Sequence, residues 1–252
     1  MRKMIFACDL DNTILYSYKH KQADDVCLEM RKGKEQGFTT RYAWELLQEV
    51  LQGEYYVPVT TRSLEQYRRI RWPQDRQPHY ALTSNGSRLL VDGAVDESWK
   101  LDYAAWIEPQ RAELERLAAS VMERGEFIQA KLVDDSYLFA YCCAETDIRQ
   151  SASDWQKRTT LEVRPSGRKL YFFPHRVDKG TAVRYLAGRL GIDELAAAGD
   201  SCIDYPMLEA GSLALVPDQA AAAAISVRQI EICPSGSSFA EFVLGRAKAL
   251  IC

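Results

Sequence analysis

The sequence predicts an α/β protein with a parallel sheet and an inserted α+β unit. A short apolar run from Lys3 to Cys8 stops at the carboxylate of Asp9, which suits a buried strand of a parallel sheet that opens into a polar loop. After Pro174 a helical pattern and a small-residue strand follow one another, which is again typical of an α/β unit. Between these parts, helices alternate with strand pairs, and this order indicates an α+β unit.

The first part of the chain yields a helix, a strand and a hairpin. Residues 16–38 are polar and charged and show no clear period, so they receive no assignment. Residues 40–51 place their apolar side chains on one helical face, which predicts a helix capped by Thr39 or Thr40. Residues 55–59 read as a strand, and residues 79–93 as two strands joined at an Asn-Gly turn.

The middle of the chain repeats one order, a helix followed by two strands. The predicted elements are a helix over 99–124, strands over 127–133 and 137–143, a helix over 147–158, and strands over 161–164 and 169–173. The later part of the chain adds a helix over 179–190, a strand over 195–198, a short helix after residue 204 and a strand over 213–216.

Composition indicates an ordinary globular protein and argues against a nucleic-acid partner. The chain has 252 residues, of which 47% are hydrophobic, and its net charge is −3. A chain of this length forms one large domain or two modest ones. Lys and Arg are in no excess and form no basic block, so we expect no nucleic-acid partner.

The apolar run near the start of the chain is too short for a signal peptide or a membrane span, so we expect a cytoplasmic protein with no membrane partner. The seven cysteines are scattered, odd in number and without a CxxC pair, which predicts neither a disulfide framework nor a zinc site. A metal ion, if the protein uses one, is expected on oxygen ligands.

A small set of polar residues follows the predicted strands or begins a helix, and their order along the chain carries the functional prediction. The set consists of Asp9, Asp11, Thr60, Lys179, Asp200 and Asp204. Alone, each reads more simply as a helix cap, a solvated loop residue or a surface lysine. The carboxyl ends of parallel strands meet at one edge, however, so these side chains can share one crevice.

Such a set of groups suits phosphate chemistry. Crowded carboxylates require a cation, and oxygen ligands at few positions suit Mg²⁺, which shares the oxygens of a substrate phosphate. A hydroxyl and an ammonium group complete a phosphate cradle. One aspartate can then attack phosphorus, while a carboxylate two residues along protonates the leaving group and afterwards activates water.

Four segments, Asp9-Leu-Asp-Asn-Thr13, Thr60-Thr-Arg62, Lys179-Gly180 and Gly199 to Met207, resemble in order the four motifs of the haloacid-dehalogenase (HAD) superfamily. The resemblance covers the whole chain and implies a Rossmann-like core. It implies these roles: Asp9 as nucleophile, Asp11 as general acid/base, Thr60, Thr61 and Lys179 as phosphate binders, and Asp9, Asp200 and the Asp11 carbonyl as Mg²⁺ ligands. Asp204 matches the last acidic position, which supports the metal site or orients Lys179.

The position of the insertion resembles one subgroup. The αββαββ unit lies between the Thr60 and Lys179 motifs, as does the C2B cap of Cof-type, sucrose-phosphate, trehalose-phosphate and mannosyl-phosphoglycerate phosphatases and of phosphomannomutase. This resemblance implies a discontinuous core, residues 1–86 and 175–252, and a cap, residues 87–174. Ser84-Asn85-Gly86 resembles the Asn-Gly turn of Cof-type members, which places Asn85 near the phosphate; an asparagine chosen only for its left-handed turn is the alternative.

The chain departs from the Cof-type pattern in three places. Fifty-one positions separate Asp9 from Thr60, and the excess lies in residues 16–38, which we expect to form a flap over the site. Asn12 follows Asp11 and Thr61 follows Thr60, where Cof-type members commonly have glycine. No predicted catalytic group is lost, but these departures leave the substrate preference open.

The resemblance implies a Mg²⁺-dependent phosphomonoesterase that acts on a small phosphorylated metabolite, with a sugar phosphate as the preferred class. A phosphosugar mutase or another phosphotransferase is the enzymatic alternative, and a catalytically silent binding module is a third reading. The oligomeric state is left open. Specificity is expected in the cap, where the candidates are Lys131, Arg164, Arg168 and Lys169, together with the aromatic residues Tyr137, Phe139, Tyr141, Phe172 and Phe173.

Overall fold

The computed structural model describes residues 3–252. Its strands are β1 (Met4–Cys8), β2 (Tyr16–Ser17), β3 (Val26–Arg31), β4 (Lys34–Thr39), β5 (Tyr56–Pro58), β6 (Tyr80–Thr83), β7 (Arg88–Val91), β8 (Ala94–Val95), β9 (Phe127–Val133), β10 (Tyr137–Cys142), β11 (Glu162–Ser166), β12 (Lys169–Phe173), β13 (Glu194–Ala198), β14 (Leu213–Val216) and β15 (Gln229–Ile232). Its α-helices are α1 (Arg41–Val50), α2 (Leu64–Tyr67), α3 (Glu97–Ile107), α4 (Arg111–Ser120), α5 (Ile148–Gln156), α6 (Lys179–Leu190), α7 (Tyr205–Leu208), α8 (Gln219–Ala223) and α9 (Phe239–Ile251).

The parallel sheet predicted from the sequence forms the core. Its strands lie in the order β15-β14-β13-β1-β5, and every pair is parallel. Cys8 at the end of β1 lies opposite Ala198 at the end of β13 and opposite Pro58 at the end of β5. The loops that follow these three strands therefore leave the sheet at the same edge. Helices α6 and α9 cover opposite faces of the sheet with buried apolar residues.

Helix α1 shows how local sequence sets an element of this core. The Thr40 side chain accepts a hydrogen bond from the Ala43 amide at 3.1 Å, so it caps the helix as predicted. The face formed by Ala43, Leu46, Leu47 and Val50 is buried, and the helix packs against α9.

Residues 16–39 form a three-stranded antiparallel sheet in the order β2-β4-β3, which we call the flap. Lys32 and Gly33 make its turn with φ values of 50° and 73°. The pairing of β3 with β4 shifts on both sides of Glu29. These irregularities break the alternation of apolar and polar side chains that normally indicates a strand. The sequence of the flap therefore shows no hydrophobic period of two.

A second antiparallel sheet, β11-β12-β10-β9, lies between the two parts of the core in sequence, and we call it the cap sheet. Helices α4 and α5 pack against it, so the predicted αββαββ order is present. The helix predicted over 99–124 is divided, because Pro109 lies in a 3-10 turn between α3 and α4 and offers no amide hydrogen. The predicted boundary at residue 87 stays a prediction.

Helix α3, which was predicted as part of the cap, packs against the core. Its Trp99 indole donates a hydrogen bond to the Gly86 carbonyl at 2.9 Å. The Trp99 ring also lies 4.7 Å from the Tyr185 ring of α6, measured between centroids. This contact connects the β6-β7 hairpin to the helix that begins with Lys179.

The β9-β10 turn of the cap sheet contacts the core directly. One carboxylate oxygen of Asp134 accepts hydrogen bonds from the Leu64 amide at 2.8 Å and from the Ser84 hydroxyl. The hydroxyl of Tyr137 donates to the Thr61 carbonyl. One face of the cap sheet is therefore held over the loops that leave the parallel sheet. None of the helices in the described part of the chain has the length and apolar character needed to cross a membrane.

Candidate active site

Asp9 and Lys179 form the buried centre of the site. Asp9 follows β1 and is 5% exposed, and its amide donates to the Ala198 carbonyl at 2.9 Å, which fixes it beside β13. Lys179 begins α6 and is 1% exposed. Its ammonium nitrogen contacts Asp9 Oδ1 and lies 2.5 Å from Asp204 Oδ1. A buried lysine is thus neutralised by two carboxylates that come from separate loops.

Asp204 uses both of its carboxylate oxygens in hydrogen bonds. Oδ1 accepts from Lys179, and Oδ2 accepts from the Asp200 and Ser201 amides at 3.2 and 2.9 Å and from the Ser201 hydroxyl at 2.9 Å. Of the two roles that the sequence implies for this residue, these contacts favour orientation of Lys179 over direct ligation of a metal.

Electrostatics make the site favourable for a cation. Burial raises the pKa of Asp9 well above its usual range, and the charge of Asp204 raises it further, while Lys179 opposes both effects. Burial and the charge of Asp204 also raise the pKa of Asp200 to about 6. Three carboxyl groups, those of Asp9, Asp200 and Asp204, therefore share the single positive charge of Lys179.

The donor set fits Mg²⁺. Asp9, Asp200 and Asp204 each offer a carboxylate oxygen, and these oxygens lie within 4.8 Å of one another. Hard oxygen donors at few positions are the ligands that Mg²⁺ takes in phosphate-processing sites. Asp9, Asp200 and the Asp11 carbonyl would hold the ion.

Asp11, the predicted general acid/base, is held by Arg62. Arg62 Nε donates to Asp11 Oδ2 at 2.8 Å and Nη2 donates to Oδ1 at 2.7 Å, which is a bidentate pair. Partial burial alone would raise the pKa of Asp11, but the charge and hydrogen bonds of Arg62 outweigh it and hold that pKa below its usual value. We assigned no role to Arg62 from the sequence, although it stands two residues after Thr60 in the same motif.

The predicted phosphate binders occupy different environments. Thr60 is fully buried, and its hydroxyl oxygen accepts the Arg62 amide at 3.1 Å, so its hydrogen stays available to another acceptor. Thr61 lies in the lining of both cavities described below. Asn85 has a φ of 57° and donates from Nδ2 to the Val177 carbonyl at 2.8 Å. The second hydrogen on Nδ2 is free to donate, but Asn85 lies in the lining of neither cavity described below, so its contact with the phosphate stays a prediction.

A small cavity of about 80 Å³ opens at the buried centre of the site. Its lining combines catalytic-motif and cap-sheet residues: Asp9, Asp11, Asn12, Thr61, Ser166, Lys169, Tyr171, Lys179, Asp200, Ser201, Ile203 and Asp204. This cavity brings six of the predicted site residues, Thr61 among them, to one space beside the Lys179 ammonium group.

A larger cavity of about 560 Å³ shares five lining residues with the small one, Asp11, Asn12, Thr61, Lys169 and Tyr171. The flap and the cap sheet form its remaining walls, together with α2 and the residues that flank it. Among the specificity candidates, Lys131, Tyr137, Phe139 and Lys169 line it. Arg164 instead pairs with Glu162, and Arg168 lies over the Tyr141 ring at 4.9 Å.

Gly180 allows α6 and α7 to approach closely enough to place Lys179 beside Asp204. An ideal Cβ at Gly180 would lie 2.1 Å from the Pro206 carbonyl oxygen, well inside van der Waals contact. We therefore expect Gly180→Ala to separate the two helices, to lower the free energy of unfolding by about 1–3 kcal/mol, and to reduce activity. Denaturant unfolding and phosphate release measure the two effects.

Gly188→Ala is the matched control, since Gly188 lies on the same helix and an ideal Cβ there meets nothing within 4 Å. Alanine at this exposed position should stabilise the protein by up to about 1 kcal/mol, because alanine has the higher helix propensity. Equal destabilisation by both substitutions would contradict the importance of the Gly180 contact.

Known proteins match the chain in sequence and in fold. Residues 2–229 match the sucrose-6F-phosphate phosphohydrolase family. A phosphoglycolate phosphatase from Pyrobaculum aerophilum is 37% identical over 83 residues, which cover 32% of this chain and 36% of that protein. The match thus spans about a third of that curated relative.

Solved structures also share the fold, and two of them illustrate the likeness. The sucrose-phosphatase from Synechocystis sp. PCC6803, solved in complex with sucrose and phosphate, has a TM-score of 0.67 and 19% identity, with 98% of this chain and 97% of that chain covered. A haloacid dehalogenase-like hydrolase from B. subtilis has a TM-score of 0.59 and 14% identity, with 98% and 99% covered. The α/β fold and the superfamily predicted from the motifs are confirmed. The chain belongs to the sucrose-6F-phosphate phosphohydrolase family, within the HAD superfamily.

Proposed function

We propose that the protein is a Mg²⁺-dependent phosphomonoesterase that hydrolyses a small phosphorylated metabolite, a sugar phosphate, through an aspartyl-phosphate on Asp9. The observation that carries this proposal is the buried Asp9–Lys179–Asp204 cluster, which opens into the small cavity beside Asp11 and Asp200. The small cavity adjoins the larger one, so a phosphate group and its alcohol portion each have a space.

In the first step an Asp9 carboxylate oxygen attacks phosphorus, and the bond from phosphorus to the leaving oxygen breaks. Asp11 gives its proton to that oxygen, so a neutral alcohol departs. Lys179 and Thr60 bind the phosphate oxygens and stabilise the charge on them. When bound, Mg²⁺ would add positive charge beside the phosphate and favour the ionised form of Asp9.

In the second step Asp11 takes a proton from water, and the water oxygen attacks phosphorus. The bond between phosphorus and Asp9 breaks, which releases inorganic phosphate and returns Asp9 as a carboxylate. Asp11 is again protonated for the next substrate. Arg62 lowers the pKa of Asp11 while no phosphate is bound, so for the first turnover Asp11 takes up its proton as the dianionic substrate binds.

The larger cavity supports a sugar phosphate as the substrate class. A volume of about 560 Å³ lies within the range of small-molecule sites, which is roughly 300–1,000 Å³. Gln36, Gln129 and Lys131 offer hydrogen bonds to hydroxyl groups, and the Phe139 and Tyr171 rings offer flat apolar surface. The Synechocystis relative, which was solved with sucrose and phosphate, supports the same class.

The test measures phosphate release from a panel of sugar phosphates, nucleotides and an aryl phosphate, with Mg²⁺ or with EDTA. We expect EDTA to remove activity and added Mg²⁺ to restore it. Asp200→Asn should raise the Mg²⁺ concentration for half-maximal activity at least about tenfold, because it removes an anionic ligand.

Asp193→Asn is the control, since Asp193 is an exposed aspartate just before β13, at the end of the strand opposite Asp200. It should leave the Mg²⁺ requirement unchanged. Activity that survives EDTA would contradict the metal dependence. Conversion of one sugar phosphate into another without free phosphate would indicate a mutase.

A further inference from the structure

The flap places one buried carboxylate against the catalytic loops. Glu29 lies on β3, and its side chain is 7% exposed. Oε2 accepts a hydrogen bond from Arg62 Nη1 at 2.8 Å, and Oε1 accepts one from Arg69 Nε at 3.0 Å. A buried glutamate is rare unless it is paired, and here the two arginine side chains neutralise the Glu29 carboxylate.

Glu29 binds the edge of Arg62 that Asp11 leaves free. The guanidinium group is planar, and its Nε and Nη2 nitrogens already donate to the two oxygens of Asp11. Because the guanidinium group is rigid, Glu29 at Nη1 keeps it from rotating, and a rotation would break both hydrogen bonds to Asp11. The orientation of Arg62, and through it that of the Asp11 carboxylate, therefore depends on Glu29.

The backbone around Glu29 fixes the direction of its side chain. The pairing of β3 with β4 is irregular on both sides of Glu29, and such bulges re-aim side chains beside active sites. Glu29 also forms an isolated bridge with Ile70, and the Arg71 amide donates to the Leu28 carbonyl at 2.7 Å. The flap is thus attached to the chain that follows α2 at the position of Glu29.

We propose that Glu29 is a positioning residue for proton transfer, which holds Arg62 so that Asp11 faces the oxygen of the leaving group. This inference rests on the proposed phosphatase mechanism. In the affected step the Asp9–phosphorus bond forms, the bond from phosphorus to the leaving oxygen breaks, and the Asp11 proton moves to that oxygen. A misplaced Asp11 slows the step only where the leaving oxygen needs that proton.

Two aryl esters of similar size separate this role from a purely structural one. Phenolate is a poor leaving group that benefits from a proton, whereas p-nitrophenolate leaves readily without one. For Glu29→Gln we expect kcat/KM to fall about 10² fold with phenyl phosphate, in line with the usual contribution of general acid catalysis. With p-nitrophenyl phosphate we expect a fall of less than about threefold, since no proton is required.

Glu29→Asp keeps the charge and shortens the side chain. Its kcat/KM should therefore fall less, by about 3–10-fold with phenyl phosphate, and again fall more with phenyl phosphate than with p-nitrophenyl phosphate. It also supplies a second variant if Glu29→Gln folds poorly. Glu35→Gln is the control, since Glu35 is an exposed carboxylate on the same flap that pairs with Lys21. It should change neither value.

Parallel losses with both esters, or no loss with either, would overturn the positioning role. Wild-type protein that released phosphate neither from these esters nor from any sugar phosphate of the panel would overturn the proposed function together with this inference. That result is read from the wild-type protein alone, so the two failures are distinguishable.

Discussion

Asp9→Asn is expected to lower phosphate release by at least about 10³-fold, because the amide offers no anionic oxygen to attack phosphorus. The variant should stay folded. Burial and the neighbouring carboxylates raise the pKa of Asp9, which means that the folded site disfavours its charge, and asparagine removes that charge without changing the shape. Lys179 keeps its contact with Asp204.

Thermal unfolding and phosphate release measured on the same preparation separate loss of chemistry from loss of structure. Asp193→Asn again serves as the control for an aspartate-to-asparagine change outside the site. Residual activity of Asp9→Asn within about tenfold of wild type would be incompatible with a nucleophilic role.

Lys179→Met has the second large effect, and it acts on stability as well as on activity. The substitution leaves Asp9 and Asp204 buried without their cation, and removal of one partner from a buried ion pair typically costs about 3–5 kcal/mol. Activity should also fall at least about 10²-fold, because the ammonium group no longer stabilises the phosphate oxygens. Denaturant unfolding gives the first value and phosphate release the second.

Two further variants make this prediction specific. Lys100→Met removes an exposed lysine of α3 that pairs with Glu97, and it should change stability by less than about 0.5 kcal/mol. The double variant Lys179→Met/Asp204→Asn removes both charges of one pair, so it should be less destabilised than the sum of its two single variants. Strict additivity would show that the pair contributes little to the stability of the fold.

The catalytic loops were predictable from sequence because each one is local. Asp9 and Asp11 follow an apolar strand directly, and Lys179 begins a helix whose bounds the periodicity places at residues 179–190, as observed. The convergence of these loops follows from the parallel sheet, whose strand ends share an edge. The roles of the individual side chains stay proposals until the variants are measured.

The flap and the contacts of Asp11 could not be predicted for a different physical reason. Bulges around Glu29 remove the period of two from the flap. Arg62 and Asp11 lie 51 residues apart in the sequence, and no local pattern predicts their ion pair. Asn85 was correctly placed in the hairpin turn, but its side-chain partner, Val177, lies 92 residues away. Long-range partners depend on how whole elements pack, which a single sequence does not encode in local patterns.

The most direct test of the account is to find the phosphoryl group on the protein. Asp11→Asn should form the aspartyl-phosphate from p-nitrophenyl phosphate, which needs no proton for departure, but should hydrolyse it slowly because no base activates water. Acid quenching, digestion and mass spectrometry of this variant are predicted to show a phosphoryl group on the peptide that contains Asp9. Release of one equivalent of p-nitrophenolate together with free phosphate, and with no phosphorylated peptide, would contradict it.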